Sequence, residues 1–416
     1  MVSRNVGRVP AKSNVESNGL VLSIFTGAGG MDIGLEAAGL RSVGFLENDE
    51  DCLATVAHNR PAWRKIEPHD AMEAALRVRP SDLGIRRKQL DVIAAGPPCQ
   101  PFSAAAQWHS SGRQGMADDR STTIRSLLQF TESFLPKVLL IENVVGFLRD
   151  DDGAITVLER GLSRINRKYQ TKYSLHSVIV DSAAYGIPQH RRRAILVASR
   201  AGKQFVPPPP THDLRPLTAW DAIGNLPSTE IETISLGSWA RDLLASIPEG
   251  GNYQWLTSQG GGEELFGYRT RFWSFLLKLA RDRPSWTLAA SAGPSTGPFH
   301  WDNRQLTVRE RMRLQSFPDD WVLLGPVRSQ IRMVGNATPP LLAEVMGRAI
   351  VQQLLNSRAE FKNQPELLGK RRRSTSTARD PIPVPSRLSH LIGDKPPHPG
   401  TGYGPSPRGA GATPSI

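Results

Sequence analysis

Short apolar, β-rich runs alternate with helical patterns through the first half of this chain, and that alternation leaves few folds open. The runs are Leu20–Thr26, Val43–Glu47, Asp91–Ala95, Val138–Glu142, Val178–Val180 and Ala194–Ala198. Strands separated by helices build βαβ units, and such units assemble a mostly parallel sheet covered on both faces. The expected class is α/β, a Rossmann-like sheet with helices on both faces. Ligands of open sheets bind beyond the carboxyl ends of the strands, and the unusual residues of this sequence fall there.

The alternation stops after Ser199. Pro207 to Pro210 is a tetraproline that is stiff and donates no backbone hydrogen bonds, so it marks a domain boundary. Residues 201–300 hold five of the nine tryptophans, a Gly260-Gly261-Gly262 cluster and no repeat, which reads as a smaller, irregular second domain. Its tryptophans, Trp220, Trp239, Trp255, Trp273 and Trp286, are expected to form its core. From Arg304 a helical pattern returns, and Leu341–Leu355 reads as an amphipathic closing helix. The organisation is thus a tail over 1–19, a main domain over 20–200, the second domain over 201–300, a return to the main domain over 301–356, and a tail over 357–416.

The chain carries a formal charge of +12. Residues 357–416 hold ten Lys/Arg against four Asp/Glu, so the tail contributes half of that excess. With ten of the 33 prolines and a Lys370-Arg371-Arg372-Arg373 run, it has too little apolar surface to offset ordering entropy, and disorder is expected. Charge runs usually face water, so the run reads as a solvated linker before it reads as a salt-sensitive phosphate contact. Two cysteines, Cys52 and Cys99, exclude a disulfide scaffold or a cysteine-rich metal site. No stretch approaches a membrane span, and Met1 to Leu20 has no apolar signal core. A soluble protein of a reducing cytosol is the expectation.

The first strand ends in Phe25-Thr26-Gly27-Ala28-Gly29-Gly30, with a helix expected from about Met31. Such a turn lets a ligand approach backbone N–H groups at a helix N-terminus, or is simply a tight turn. The dinucleotide fingerprint needs a third glycine where this chain has Asp32, which disfavours a nicotinamide enzyme. Glu47 ends the second strand, where an acidic residue can accept from ribose hydroxyls, and Asp70 could accept from an adenine amino group.

Gly96-Pro97-Pro98-Cys99-Gln100-Pro101-Phe102-Ser103 follows the third strand. Three prolines around one cysteine present its side chain at the strand's carboxyl end, packaging that a core filler does not need. A free thiol is only about 3% thiolate at pH 7, so full ionisation requires about 2 kcal/mol from the surroundings. Glu142 in Ile141-Glu142-Asn143-Val144 is either a shielded proton donor or an exposed strand-end carboxylate. In Gln189-His190-Arg191-Arg192-Arg193, strand alternation puts Arg191 and Arg193 on one face, reaching one site or a phosphate-binding surface.

With these segments in this order, the chain closely resembles the DNA (cytosine-5) methyltransferases. The resemblance rests on the glycine turn at 25–30, Pro97-Pro98-Cys99-Gln100, Glu142-Asn143-Val144, Gln189-x-Arg191-x-Arg193, Arg304-Gln305-Leu306-Thr307-Val308-Arg309-Glu310 with Leu314-Gln315-Ser316-Phe317-Pro318, and Gly335-Asn336-Ala337-x-Pro339-Pro340. It covers about 20–200 and 301–356. It implies an S-adenosylmethionine-dependent enzyme with Cys99 as nucleophile, Glu142 on ring nitrogen 3 of a flipped-out cytosine, and Arg193 with Arg191 on its carbonyl oxygen. Phe25, Gly27, Gly29, Glu47, Asp70, Pro98 and Asn336 would line the cofactor pocket. Gln100, Ser103, Asn143 and Gln189 would support the substrate site. Ala104–Arg120 would be a loop closing over DNA, and 201–300 a target recognition domain with Arg269 and Arg271 as guanine readers. Some members carry an acidic residue where this chain has Ser23, and some an aromatic where it has Asn48.

The partner implied is double-stranded DNA, with a cognate restriction endonuclease acting separately and the methyltransferase itself a monomer of the bacterial cytoplasm and nucleoid. A tRNA methyltransferase of the same family is disfavoured because no cysteine follows Cys99. A silent DNA-binding module would be expected to lose Cys99, Glu142 or the glycine turn, and all are present.

Overall fold

The computed structural model describes residues 17–98, 119–149, 153–226, 238–268, 273–291, 293, 295–356, 358–361, 363 and 377–391. Cys99, Gln100, Ser103, residues 104–118 of the expected 104–120 loop, Arg269, Arg271 and the Lys370–Arg373 run lie outside the described residues, while Asp119 and Arg120, expected in that loop, begin the helix Asp119–Phe134. Among those described, six strands form one sheet: β1 Gly19–Ile24, β2 Leu40–Leu46, β3 Val92–Ala95, β4 Val138–Val144, β5 Leu175–Asp181 and β6 Arg192–Ser199. Their order is β2-β1-β3-β4-β6-β5. The first four are parallel, and β6 runs antiparallel to both β4 and β5. The expected α/β sheet is therefore present, with its alternation broken at one edge.

Period-two burial sorts the strand residues between two cores. Leu22, Ile24, Ile93, Ala95, Leu139 and Ile141 face one side, where helices α3 (Ala71–Arg77), α4 (Asp119–Phe134) and α5 (Ala154–Tyr169) pack. Val21, Val92, Ala94, Val138 and Leu140 face the other, covered by α1 (Gly30–Ala37) and α10 (Pro340–Ile350). The helix Pro340–Ile350 thus packs against the first helix. A Cβ on Gly34 would lie 2.2 Å from the Pro340 carbonyl oxygen, so only glycine allows α10 this close to α1.

The segment 201–300 divides differently from its expected boundary. Phe205 packs on the sheet, and α6 (Ala219–Ile223) joins Leu306, Val308 and Met312, so residues up to about 226 stay with the main body. The separate small core holds Ala240, Leu243, Leu244, Tyr253, Leu256, Leu276 and Phe299. Arg281 joins the two regions: its guanidinium lies 5.4 Å from the Trp220 ring and 5.3 Å from the Trp301 ring, and pairs with Glu249 at 2.9 Å. Trp273 and Trp286 are not core, being 45% and 41% exposed.

The tail also departs from its expected disorder. Residues 377–391 lie across the small core, with Leu388 buried in it. Ile382 N–H donates to the Ala245 carbonyl at 3.0 Å, Val384 N–H to Glu263 Oε1 at 3.0 Å, and Ser246 Oγ to the Pro383 carbonyl at 3.2 Å. Arg387 pairs with Asp242. Three prolines, Pro381, Pro383 and Pro385, hold this stretch extended at little entropic cost, so an average composition of disorder conceals one ordered strap.

Candidate active site

The floor of the site is the turn between β1 and α1. Phe25 takes φ 61°, Gly27 φ 57° and Gly29 φ 82°, a left-handed path that glycine adopts freely and that is strained for Phe25. Gly29 caps α1 from that conformation. Gly27 N–H donates to Glu47 Oε2 at 2.7 Å, while Glu47 Oε1 accepts from Asn48 N–H at 2.9 Å and Asp49 N–H at 3.0 Å. Glu47 therefore ties the ends of β1 and β2 together. No atom lies within 4 Å of where a Gly27 Cβ would sit, so that backbone stands open to the cleft.

Asp70 is not at a strand end. It is the exposed N-cap of α3, its Oδ1 accepting from Glu73 N–H at 2.8 Å, and it faces the same cleft. Asn336 is the last residue of helix α9 (Val327–Asn336) and borders the same cleft. One turn earlier, Arg332 pairs with Asp49, the N-cap of α2 (Glu50–Asn59), at 2.9 Å. That backbone cap and the Arg332 hydrogen bond outweigh burial and hold the Asp49 carboxyl below its ordinary range.

At the end of β4, Glu142 is buried and its Oε1 lies 3.0 Å from Arg193 Nε. The contact is electrostatic rather than a directed hydrogen bond, since that oxygen accepts none. Neighbouring Asn143 donates from Nδ2 to the Pro97 carbonyl at 3.2 Å and accepts Val144 N–H at 2.8 Å, which anchors the approach to Cys99. Arg191 and Arg193 both line the cleft, whereas Arg192 is exposed outside it. Fully buried Arg191 donates from Nη2 to the Gly335 carbonyl at 2.9 Å, linking the start of β6 to the end of α9. Gln189 is a buried connector that donates to the Leu314 carbonyl at 3.3 Å and accepts Leu288 N–H at 3.3 Å.

These groups converge on one cleft of about 620 Å3 that contains Phe25, Gly27, Glu47, Asp70, Pro98, Glu142, Arg191, Arg193 and Asn336. Among the described residues no group of acidic, histidine and cysteine side chains could hold a metal, and no helix is long and apolar enough to cross a membrane. Cys52 also borders the cleft, but burial pushes its thiol far above the ordinary range. A thiol held protonated is a poor nucleophile.

Arg332 and Asp32 are among the cleft residues that escaped sequence reasoning. Arg332 carried no motif, and a lone arginine on a helix gives no signal of its own. Asp32 entered only as the missing glycine, although an acid in the first turn after a glycine-rich bend was the available clue. It is buried, hydrogen-bonded by Ser23, and has its second oxygen unpartnered. Burial raises its carboxyl to about 7 despite that hydrogen bond, with Glu47 and Glu36 adding to the shift.

The sequence profile of C-5 cytosine-specific DNA methylases matches residues 20–352. The chain is 31% identical over 378 residues to the type II methyltransferase M.SacI of Streptomyces achromogenes, covering 80% of this chain and 93% of that protein. It is 33% identical over 353 residues to M.Eco47II of Escherichia coli, covering 80% and 79% respectively. Among solved structures, DNMT2 of Spodoptera frugiperda is similar with a TM-score of 0.55 at 14% identity, over 80% of this chain and 99% of that one. The Entamoeba histolytica methyltransferase EhMeth gives a TM-score of 0.51 at 16% identity, over 80% and 97%. Likeness at that identity is likeness of fold.

Proposed function

Because this chain belongs to the C-5 cytosine-specific DNA methylase family, we propose the following division of labour within its cleft. The protein is a DNA cytosine-5 methyltransferase and S-adenosylmethionine is its methyl donor; the tRNA and silent-module readings are set aside. The cleft fits that donor. Gly27 leaves open space over its backbone, and Glu47, Asp49 and Asp70 surround it with carboxylates suited to ribose hydroxyls and cationic groups. Phe25, Gly27, Glu47, Asp70, Pro98 and Asn336 would hold the donor, which when bound supplies an electrophilic methyl group; Gly29, expected among them, does not line the cleft and instead caps α1 against Trp321.

Carbon 5 of cytosine is a poor nucleophile, so covalent activation is needed. Cys99 adds through its thiolate to carbon 6 of an extruded cytosine. Glu142 hydrogen-bonds ring nitrogen 3, and Arg193 opposes the negative charge growing on the carbonyl oxygen. Electron density then rises at carbon 5. After that carbon is alkylated, loss of its proton expels the Cys99 thiolate and restores the ring. Arg191, Asn143 and Gln189 hold these groups in place, while Gln100 and Ser103 flank the nucleophile. Extrusion costs a few kcal/mol, which contacts within the pocket must offset.

The finer setting is the modification half of a type II restriction system, as the relatives' names suggest. There the enzyme works as a monomer in a bacterial cytoplasm and nucleoid beside a separate endonuclease. Residues of the 201–300 region select the target through base edges in the major groove. The observation that carries the site reading is the Glu142–Arg193 pair sharing one cleft with the open Gly27 turn. Its test is a duplex library containing 5-fluorocytosine, incubated with methyl donor. A covalent adduct that maps to residue 99 and disappears in Cys99→Ser is expected; no adduct on any flanking sequence refutes the assignment.

A further inference from the structure

Trp273 and Trp286 stand out against the rest of the small region. Their ring centroids are 5.7 Å apart at an interplanar angle of 58°, and both remain more than two-fifths exposed. The His190 ring lies 6.3 Å from that of Trp286. Contiguous exposed aromatic surface of this kind usually marks a binding surface rather than a failure of packing.

Position says what it binds. The backbone around Trp286 is tied to the segment leading into β6: His190 N–H donates to the Ser285 carbonyl at 2.8 Å, Ser285 N–H to the Pro188 carbonyl at 2.9 Å, and Thr287 Oγ1 to the His190 carbonyl at 2.7 Å. Gln189 and Ser285 are completely buried in this junction, which fixes it. Because β6 is antiparallel to β4, the residues just before β6 lie beyond the carboxyl end of β4. That is the end carrying Glu142, and Arg193 follows His190 by three residues. The aromatic pair is thus anchored through this junction beyond the strand end that carries Glu142, outside the residues that line the cleft itself. The exposed, always charged Arg192 at the start of β6 favours a polyanion, while His190 is engaged by Asp181, its Nδ1 lying 3.0 Å from Oδ2.

We propose that Trp273 and Trp286 form an aromatic ledge that packs against duplex DNA next to the extruded nucleotide. This deepens the DNA reading of the cleft and rests on it. Extrusion leaves neighbouring bases without a stacking partner, and indole faces stack on bases of any identity. The ledge therefore contributes affinity and extrusion more than sequence choice.

Binding and fluorescence measurements test it. Trp273→Ala/Trp286→Ala should raise the Kd for a duplex substrate at least tenfold, about 1.4 kcal/mol. It should reduce the fluorescence gain of 2-aminopurine at the target position and leave the S-adenosylmethionine Kd unchanged, which reports an intact fold. Trp286→Phe should recover most of the loss. In the unaltered protein, duplex DNA should protect a fraction of the tryptophan emission from acrylamide. Unchanged DNA affinity in the double alanine variant, or emission quenched equally with and without DNA, overturns the ledge. So does a double variant that binds DNA normally but sediments as a smaller species, which would assign the surface to self-association. A wild-type protein that forms the fluorocytosine adduct while the tryptophan variants behave normally removes the ledge alone, whereas loss of the adduct removes the underlying site.

Discussion

Arg193 Nε lies 3.0 Å from Glu142 Oε1, yet that oxygen accepts no directed hydrogen bond. The arginine, from a strand antiparallel to the one carrying the glutamate, balances its charge without consuming its hydrogen-bonding capacity. A carboxyl so placed is available to a base. Glu142→Gln should lower the single-turnover rate of methyl transfer by about 10²–10⁴-fold, the range of a lost general acid. Cofactor affinity should stay within about twofold, since Glu142 sits at the β4 end and the glycine turn at the β1 end. Rapid-quench assays on a short duplex decide this, and an undiminished rate removes Glu142 from the chemistry.

Asp70 has two functions to separate, because it caps α3 and also faces the cleft. Asp70→Ala should cost about 1 kcal/mol of stability from the lost cap and also weaken S-adenosylmethionine binding. Asp70→Ser retains a capping oxygen, so it should restore stability without restoring cofactor affinity. Calorimetric titration of both variants distinguishes the two effects. Equal cofactor Kd values for wild type and Asp70→Ser would leave Asp70 with the cap alone.

Asp32 gives a pH dependence of defined sign. Its carboxyl is raised to about 7 by burial from an ordinary value of 3.8. The folded protein therefore holds this proton more tightly than the unfolded chain. The associated stability is fully present below about pH 4 and is lost as pH rises through 7. That rise corresponds to about 4 kcal/mol at most. Asp32→Asn should accordingly gain stability relative to wild type between pH 5 and pH 8, measured as the difference in urea midpoint. A difference that is the same at both pH values would mean that Asp32 is ionised throughout.

Much of this architecture was legible because it depends on local rules. Period-two burial of Leu22, Ile24, Ile93 and Ala95 follows from apolar runs that the sequence displays directly. The turn at Gly27 and Gly29 follows from their freedom at positive φ. What stayed hidden depends on partners distant in sequence. Asp70 reads as a ligand through the family resemblance, but its capping role depends on the start of α3. Arg332 matters only because α9 brings it to Asp49. Trp273 and Trp286 resemble core by residue type, and only the packing around Ser285 leaves them outside. Composition averaged over the tail masked the few residues from Ile382 to Leu388 that have a surface to bind.

That strap yields the last prediction, which separates two truncations. Leu388 is buried with Ala240, Leu243 and Leu256, and three hydrogen bonds and the Arg387–Asp242 pair fasten the same stretch. Burying a leucine contributes about 2 kcal/mol, and each net hydrogen bond about 1 kcal/mol. Ending the chain after residue 391 should therefore leave thermal stability and methyl transfer close to wild type. Ending it after residue 376 should lower the unfolding midpoint and open residues 238–299 to proteolysis, while the sheet, whose cores contain no residue beyond Phe361, stays protected. DNA methylation by the shorter protein should fall through a raised KM for DNA, with cofactor binding retained. Identical protease maps for the two truncations would show that the strap rests on the small core without supporting it. Leu388→Ala in the full chain checks the same point without a truncation, and should cost about 2 kcal/mol or more through the cavity it leaves.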